Sequence, residues 1–154
     1  MQEHLDHLRA RFAENIVHER FKDCRRHDDK PLKPYRSIVL NAVPFLRQCG
    51  LLQVFAFWYS KGGGEGKEDK HVLHDVLSWL ASPDSALTSS ICDGVSPKRA
   101  PVSDSPEAAF GPLLARTSIE IAVLEAEAEA YLTWLKRLVE GRYQELKHRA
   151  QEGA

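Results

Sequence analysis

The sequence predicts an all-α fold: a compact helical bundle of about five to seven helices with one long C-terminal helix. Three observations predict it. Apolar residues in the last third recur at Leu114, Ile121, Leu124, Ala128, Leu132, Leu135, Val139 and Leu146, steps that fall on one stripe of a helix. The earlier apolar segments keep the same period. The one short run that could be a buried strand, Leu51 to Ser60, has no second strand to pair with.

The long helix is expected from Leu113 to about Arg149. Its only glycine is Gly141, no proline interrupts it, and Glu, Ala, Leu, Lys and Arg fill most of it. At 1.5 Å per residue it makes a rod of roughly 55 Å. One end is therefore expected to project or to pack on another subunit. The first helix is expected from about Gln2 to Asp23, with an apolar stripe of Leu5, Leu8, Phe12, Ile16, Val17 and Phe21. Cys24 to Pro34 breaks the period with Arg25, Arg26, His27, Asp28, Asp29 and Lys30, and reads as an exposed connection.

A second helix is expected from about Tyr35 to Cys49, with Ile38, Ala42, Phe45 and Leu46 inward, Pro44 inside it and Gly50 as its C-cap. Leu51 to Ser60 is a third helix, apolar nearly all round, which places it in the middle of a core or against a partner. A glycine-rich turn, Lys61 to Lys67, precedes a fourth helix from His71 to Leu80. Ser82-Pro83 signals a short fifth helix, Asp84 to about Ile91. Cys92 to Ser105 reads as too polar for core, Ser105-Pro106 as another helix start, and Gly111-Pro112 as the break before the long helix.

A length of 154 residues fits one domain, 1–154, with flexible loops near 24–34, 61–70 and 92–106. The three cysteines, Cys24, Cys49 and Cys92, have no metal-like spacing, and a reduced, cytoplasmic compartment is the natural reading. No apolar run suits a signal peptide or a membrane span. With 21 Lys and Arg against 22 Asp and Glu, the chain is not basic overall, although a local basic face is allowed.

Few residues ask for catalysis. The glycine loop fails as a phosphate loop: the position that must be glycine, separated by four residues from Gly66-Lys67, is Lys61, and Glu68 stands where a hydroxyl is needed. His71 and His74, three apart beside Asp75, could ligate a metal only with two further ligands, so no metal or cofactor is assigned. Glu120, Glu125, Glu127 and Glu129 read as a solubilising outer face. No nucleophile context is present, so the chain is not read as an enzyme. The basic residues point elsewhere. Arg36, Arg47, Lys61, Arg116, Lys136 and Arg137 stand at or near helix ends, as phosphate-binding Lys and Arg often do.

Two stretches carry a family resemblance. Residues 35–61, YRSIVLNAVPFLRQCGLLQVFAFWYSK, and 131–141, YLTWLKRLVEG, resemble the small subunit of the type III-B CRISPR effector, the Cmr complex. The shared positions are Tyr35-Arg36, Pro44, Gly50-Leu51, Leu52 to Trp58, and Trp134-Leu135-Lys136-Arg137. The resemblance implies a non-catalytic all-α subunit. It implies copies stacked in a filament beside the guide-RNA backbone, other Cmr subunits as partners, and target RNA held by basic residues in the groove between. Under it, Arg36, Arg47, Lys61, Arg116, Lys136 and Arg137 are the expected RNA contacts, Lys136 and Arg137 foremost. Trp134, Phe55, Phe57 and Trp58 are expected in packing. The alternative is a helical adaptor that binds another protein without nucleic acid.

Overall fold

The computed structural model describes residues 2–61, 67–95 and 110–153. Five α-helices order them: α1 (Gln2–Phe21), α2 (Leu32–Cys49), α3 (Leu51–Ser60), α4 (Lys67–Leu80) and α5 (Ser118–Glu152), with a 3-10 turn at Gly111–Ala115 before the last. No strand occurs among the described residues. The all-α expectation and the long C-terminal helix are both present.

The boundaries show where local chemistry overrode periodicity. In the connection after α1, the Asp29 carboxylate accepts from the N–H groups of Arg25 and Arg26 at 3.1 and 3.0 Å. This is a built turn, and it buries Cys24 rather than exposing it. α2 begins at Leu32, three residues before Tyr35. Pro34 therefore lies in its first turn, where a missing N–H removes no helical bond. Gly50 ends α2 and starts α3 in one step. Its φ of +84° is a conformation that side-chain-bearing residues rarely adopt. Its N–H reaches Leu46 O at 2.9 Å and its C=O accepts from Val54 at 3.1 Å.

The helix expected at 84–91 is a series of turns instead. Ser82, Ser85, Thr88, Ser89 and Ser90 crowd there, and such hydroxyls compete with the helical ladder. Thr88 Oγ1 donates to Leu80 O at 2.7 Å, and the Ser85 and Thr88 hydroxyls pair in a buried contact. Cys92, expected to be outside the core, is buried. The long helix starts at Ser118 rather than Leu113, because Thr117 and Glu120 form a capping box: each side chain takes the other's free backbone N–H. Leu114 thus falls outside the stripe and is 60% exposed. The N-cap pair expected at Ser105-Pro106 and residues 62–66 of the glycine turn lie outside the described residues.

The middle of the core is α4, not the more apolar α3. Val72, Leu73, Val76, Leu77, Trp79 and Leu80 of α4 are fully buried, whereas Phe57 of α3 is 43% exposed. α5 lies along α1 and α2, and its buried residues run from Leu124 to Leu146. That is roughly 33 Å of covered helix. A cluster of rings ties the layers: Trp79 stacks on Tyr131 at 5.7 Å, and Phe12 meets both at 5.3 and 5.9 Å.

Two buried carboxylates lie in this core. Asp75 of α4 has no solvent exposure. Arg20 of α1 grips it with Nε and Nη2, the latter at 2.6 Å, and the Tyr35 hydroxyl donates to it at 2.5 Å. Burial and then the Asp75 charge push the Tyr35 phenol well above its ordinary value, so it remains a donor. Glu127 of α5 accepts from Arg9 at 2.6 and 2.9 Å and from the Trp79 indole at 3.1 Å. Glu127 is only 4% exposed, which corrects its reading as part of a solubilising outer face.

Arg20→Ala removes the guanidinium that grips the buried Asp75 carboxylate, and should cost about 3–5 kcal/mol of unfolding free energy. Tyr35→Phe should cost about 1.5–3 kcal/mol, the value of a hydrogen bond to a charge. Tyr131→Phe should be neutral or stabilising by about 1 kcal/mol, because the Tyr131 hydroxyl is buried and has no partner among the described residues. Urea denaturation of the three variants checks all of this. Burial pushes the Cys92 thiol up to about 11 and raises Cys24 as well. Cys49, half-buried, should therefore be the one thiol that a disulfide reagent titrates quickly at pH 8 in the native chain.

Candidate nucleic-acid interface

Four basic residues share one face, built from α2 and α5. Arg36 and Arg47 stand eleven residues apart on α2, three turns or roughly 16 Å along one side of the helix. Each reaches across to α5. Arg36 donates to Glu140 at 2.6 and 3.0 Å, and its guanidinium lies 3.9 Å from the centre of the Tyr143 ring. Arg47 donates to Glu129 from Nε at 3.0 Å and also from Nη2. Lys136 stands one turn before Glu140 and is exposed. Lys33, exposed one turn before Arg36, extends the face.

The remaining expected contacts lie elsewhere. Arg137 sits on the other side of the α5 ridge, in a groove against α1, with its guanidinium 5.6 Å from the Trp134 ring. Adjacent residues on a helix diverge by about 100°, so Lys136 and Arg137 serve different faces. Lys61 ends α3 with its ammonium 5.0 Å from the Phe57 ring. Arg116 donates from Nε to Ile91 O at 2.9 Å and from Nη2 to Asp93 O at 3.4 Å, pinning the 81–95 turns to the start of α5. Of the aromatic residues expected in packing, Phe55 and Trp58 are buried, Trp134 is half-buried, and Phe57 packs on Phe45 at 5.2 Å while staying partly exposed.

The α2–α5 face also contains groups that spacing did not mark: Glu129, Glu140 and Tyr143. From the sequence alone Glu129 reads as a solubilising residue. Its partner Arg47 lies 82 positions away, and Glu140 lies 104 from Arg36, separations no local pattern reports. The hydrogen bonds from Arg36, and then from Gln144, hold the Glu140 carboxyl below its ordinary value. Both ion pairs are partly or largely solvated, so they orient the guanidiniums more than they stabilise the fold.

His71 and His74 line a separate cleft of about 940 Å³ between α1 and α4, together with Arg20, Glu68 and Asp75. His71 Nδ1 lies 3.2 Å from Glu68, and His74 Nδ1 lies 3.2 Å from Asp75. Among the described residues, no group of three or more His, Cys, Asp or Glu is arranged to hold a metal ion. Nor is any described helix long and apolar enough to cross a membrane.

Compared with protein families, residues 5–142 match CRISPR-associated protein (Cas_Cmr5). The chain belongs to that family. The match runs from α1 through most of α5 and takes in both 35–61 and 131–141. No curated protein and no solved structure matches the chain significantly. As a Cas_Cmr5 protein it is a small subunit of the type III-B CRISPR effector, in a family of non-catalytic subunits that associate with the other Cmr subunits.

The Arg36–Glu140 pair should make stability depend on acid. A carboxyl lowered in the folded state contributes stability that is fully present above the ordinary glutamate value and is lost as pH falls from there through the lowered one. Between pH 6 and 3.5, wild type should lose more stability than Glu140→Gln, and paired urea titrations would measure the difference.

Proposed function

We propose that this chain is the non-catalytic small subunit that holds target RNA in a cytoplasmic Cmr complex, through sequence-independent phosphate contacts on the α2–α5 face. Copies of it stack in a filament beside the guide-RNA backbone. Membership of the Cas_Cmr5 family carries the reading. The geometry supports it with Lys33, Arg36, Arg47 and Lys136 gathered on one rigid helix pair. Glu129 and Glu140 hold the two guanidiniums extended until a phosphate replaces the carboxylate. A planar fork that binds carboxylate binds phosphate in the same way. Such contacts position a strand without reading it, as a subunit that must accept any target requires. Arg137, Lys61 and Arg116 extend the contact set where the strand or a neighbouring subunit passes those edges.

The net charge of −1 fits weak binding by the isolated chain. Strong binding then comes from an array in which several weak sites add. One observation favours the adaptor reading: Arg36 and Arg47 are already neutralised within the chain.

The experiment is target-RNA capture by a reconstituted Cmr complex carrying Arg47→Glu and Lys136→Glu. Capture should fall at least tenfold, equally for unrelated target sequences, with subunit stoichiometry unchanged. Lys136→Ala alone should lower the slope of log K against log salt by about 0.7, the value for one phosphate contact on a single strand. Unchanged capture in an intact complex would leave the adaptor reading in its place.

A further inference from the structure

Two groups of α5 hold the Arg36 guanidinium, and an arriving anion affects them differently. Glu140 holds one edge: Arg36 Nε and Nη2 donate to it at 2.6 and 3.0 Å. Tyr143 holds one face, with its ring centre 3.9 Å from the guanidinium carbon. A phosphate competes with the carboxylate, because both bind the same planar fork. It does not compete with the ring, which attracts the cation but occupies none of its N–H groups. Arg36 Nη1 has no partner among the described residues, so the fork keeps a free end for first contact. Gln144 donates to Glu140 at 2.9 Å and retains the carboxylate when Arg36 lets it go.

The ring is itself braced. Tyr143 is half-buried on α5, and the His27 imidazole meets it at 5.2 Å and 90°. His27 stands in the turn after α1. Its Nδ1 is buried with no hydrogen-bond partner among the described residues, so that nitrogen does not anchor it and the edge-on ring contact does. Arg47 supplies the contrast. It pairs with Glu129, yet its side chain is 69% exposed against 27% for Arg36, and no ring lies beside it among the described residues. Once a phosphate displaces Glu129, Arg47 has no second tether. A long side chain freed in this way regains rotamers that binding must remove again. Arg36 keeps its ring throughout.

We propose that Tyr143 is a positioning residue of the RNA face: its ring keeps Arg36 aimed at the strand while Glu140 gives way to phosphate. The proposal rests on the α2–α5 reading above. It adds that Arg36 is the preorganised contact of that face and Arg47 the adaptable one.

A double-mutant cycle in target-RNA capture by the reconstituted Cmr complex tests it. Arg36→Ala should weaken capture by about three- to tenfold for each copy in the complex, and Tyr143→Leu should reproduce most of that loss. Tyr143→Phe, which keeps the ring, should restore capture to about the wild-type level. On an Arg36→Ala background Tyr143→Leu should cost nothing more, whereas on an Arg47→Ala background it should keep its full effect. Tyr143→Met serves the same cycle where the leucine variant does not assemble. Undiminished capture by Tyr143→Leu, with Arg36→Ala impaired, overturns the positioning role and leaves the RNA face standing. An equal further loss on the Arg36→Ala background also overturns it, since Tyr143 then acts apart from Arg36. Undiminished capture by Arg36→Ala removes Arg36 from the RNA face and this role with it.

Discussion

The Asp75 carboxylate has no solvent exposure, and the bundle is arranged around satisfying it. An isolated carboxylate in an apolar interior would be severely destabilising. Arg20 of α1 and Tyr35 of α2 both reach it. Each is useful only if its own helix has the right depth and rotation. Glu127 repeats the device one layer over, between α5, Arg9 of α1 and Trp79 of α4. Two arginines of one helix thus set its register against two others. Apolar packing tolerates small slides between helices, whereas a buried ion pair with one good geometry does not. In this chain the pairs contribute a unique arrangement more than raw stability, since desolvation offsets much of their attraction.

That arrangement reaches the surface. With Glu127 drawn inward, α5 turns two of its other acids, Glu129 and Glu140, toward α2, where Arg47 and Arg36 take them up. The outer face of α2–α5 becomes a row of oriented guanidiniums with Lys33 and Lys136 beside it. Asp75 and Glu127 are matched inside by Arg20 and Arg9, so the locally basic edge of this balanced chain comes from Lys33 and Lys136 standing beside the two paired arginines. Net charge is a poor guide to such a surface, and distribution after folding is what a polyanion meets.

The candidate site was partly legible in the sequence. Arg36, Arg47 and Lys136 could be named from helix ends and from the motifs that contain them, and the structure brings them to one face. Arg116 and Lys61 have the same chemistry and similar positions at helix ends, yet one is tied to the carbonyls of Ile91 and Asp93 and the other lies over Phe57. A helix-end position does not tell whether a guanidinium's donors are already taken, because the acceptors come from distant segments. The carboxylates were harder still. Glu120, Glu127 and Glu129 look alike along the helix, and the structure gives them a cap, a buried partner and a surface partner respectively.

What the sequence determined by itself is whatever depends on near neighbours. Helical period, glycine at a positive φ between α2 and α3, and a long uninterrupted C-terminal helix all follow from residues within a few positions of one another. The family could be named for the same reason, since its marks are contiguous stretches. The tertiary structure alone decided which helix is central. The apolar α3 lies to one side and α4, with two histidines and two aspartates, fills the middle. Hydropathy scores a charged residue as if water stayed with it. Folding removed the water from Asp75 and Glu127 and supplied arginines 55 and 118 residues away in sequence. No local pattern encodes a partner at that distance, so the middle of this protein became visible only once the chain had closed around it.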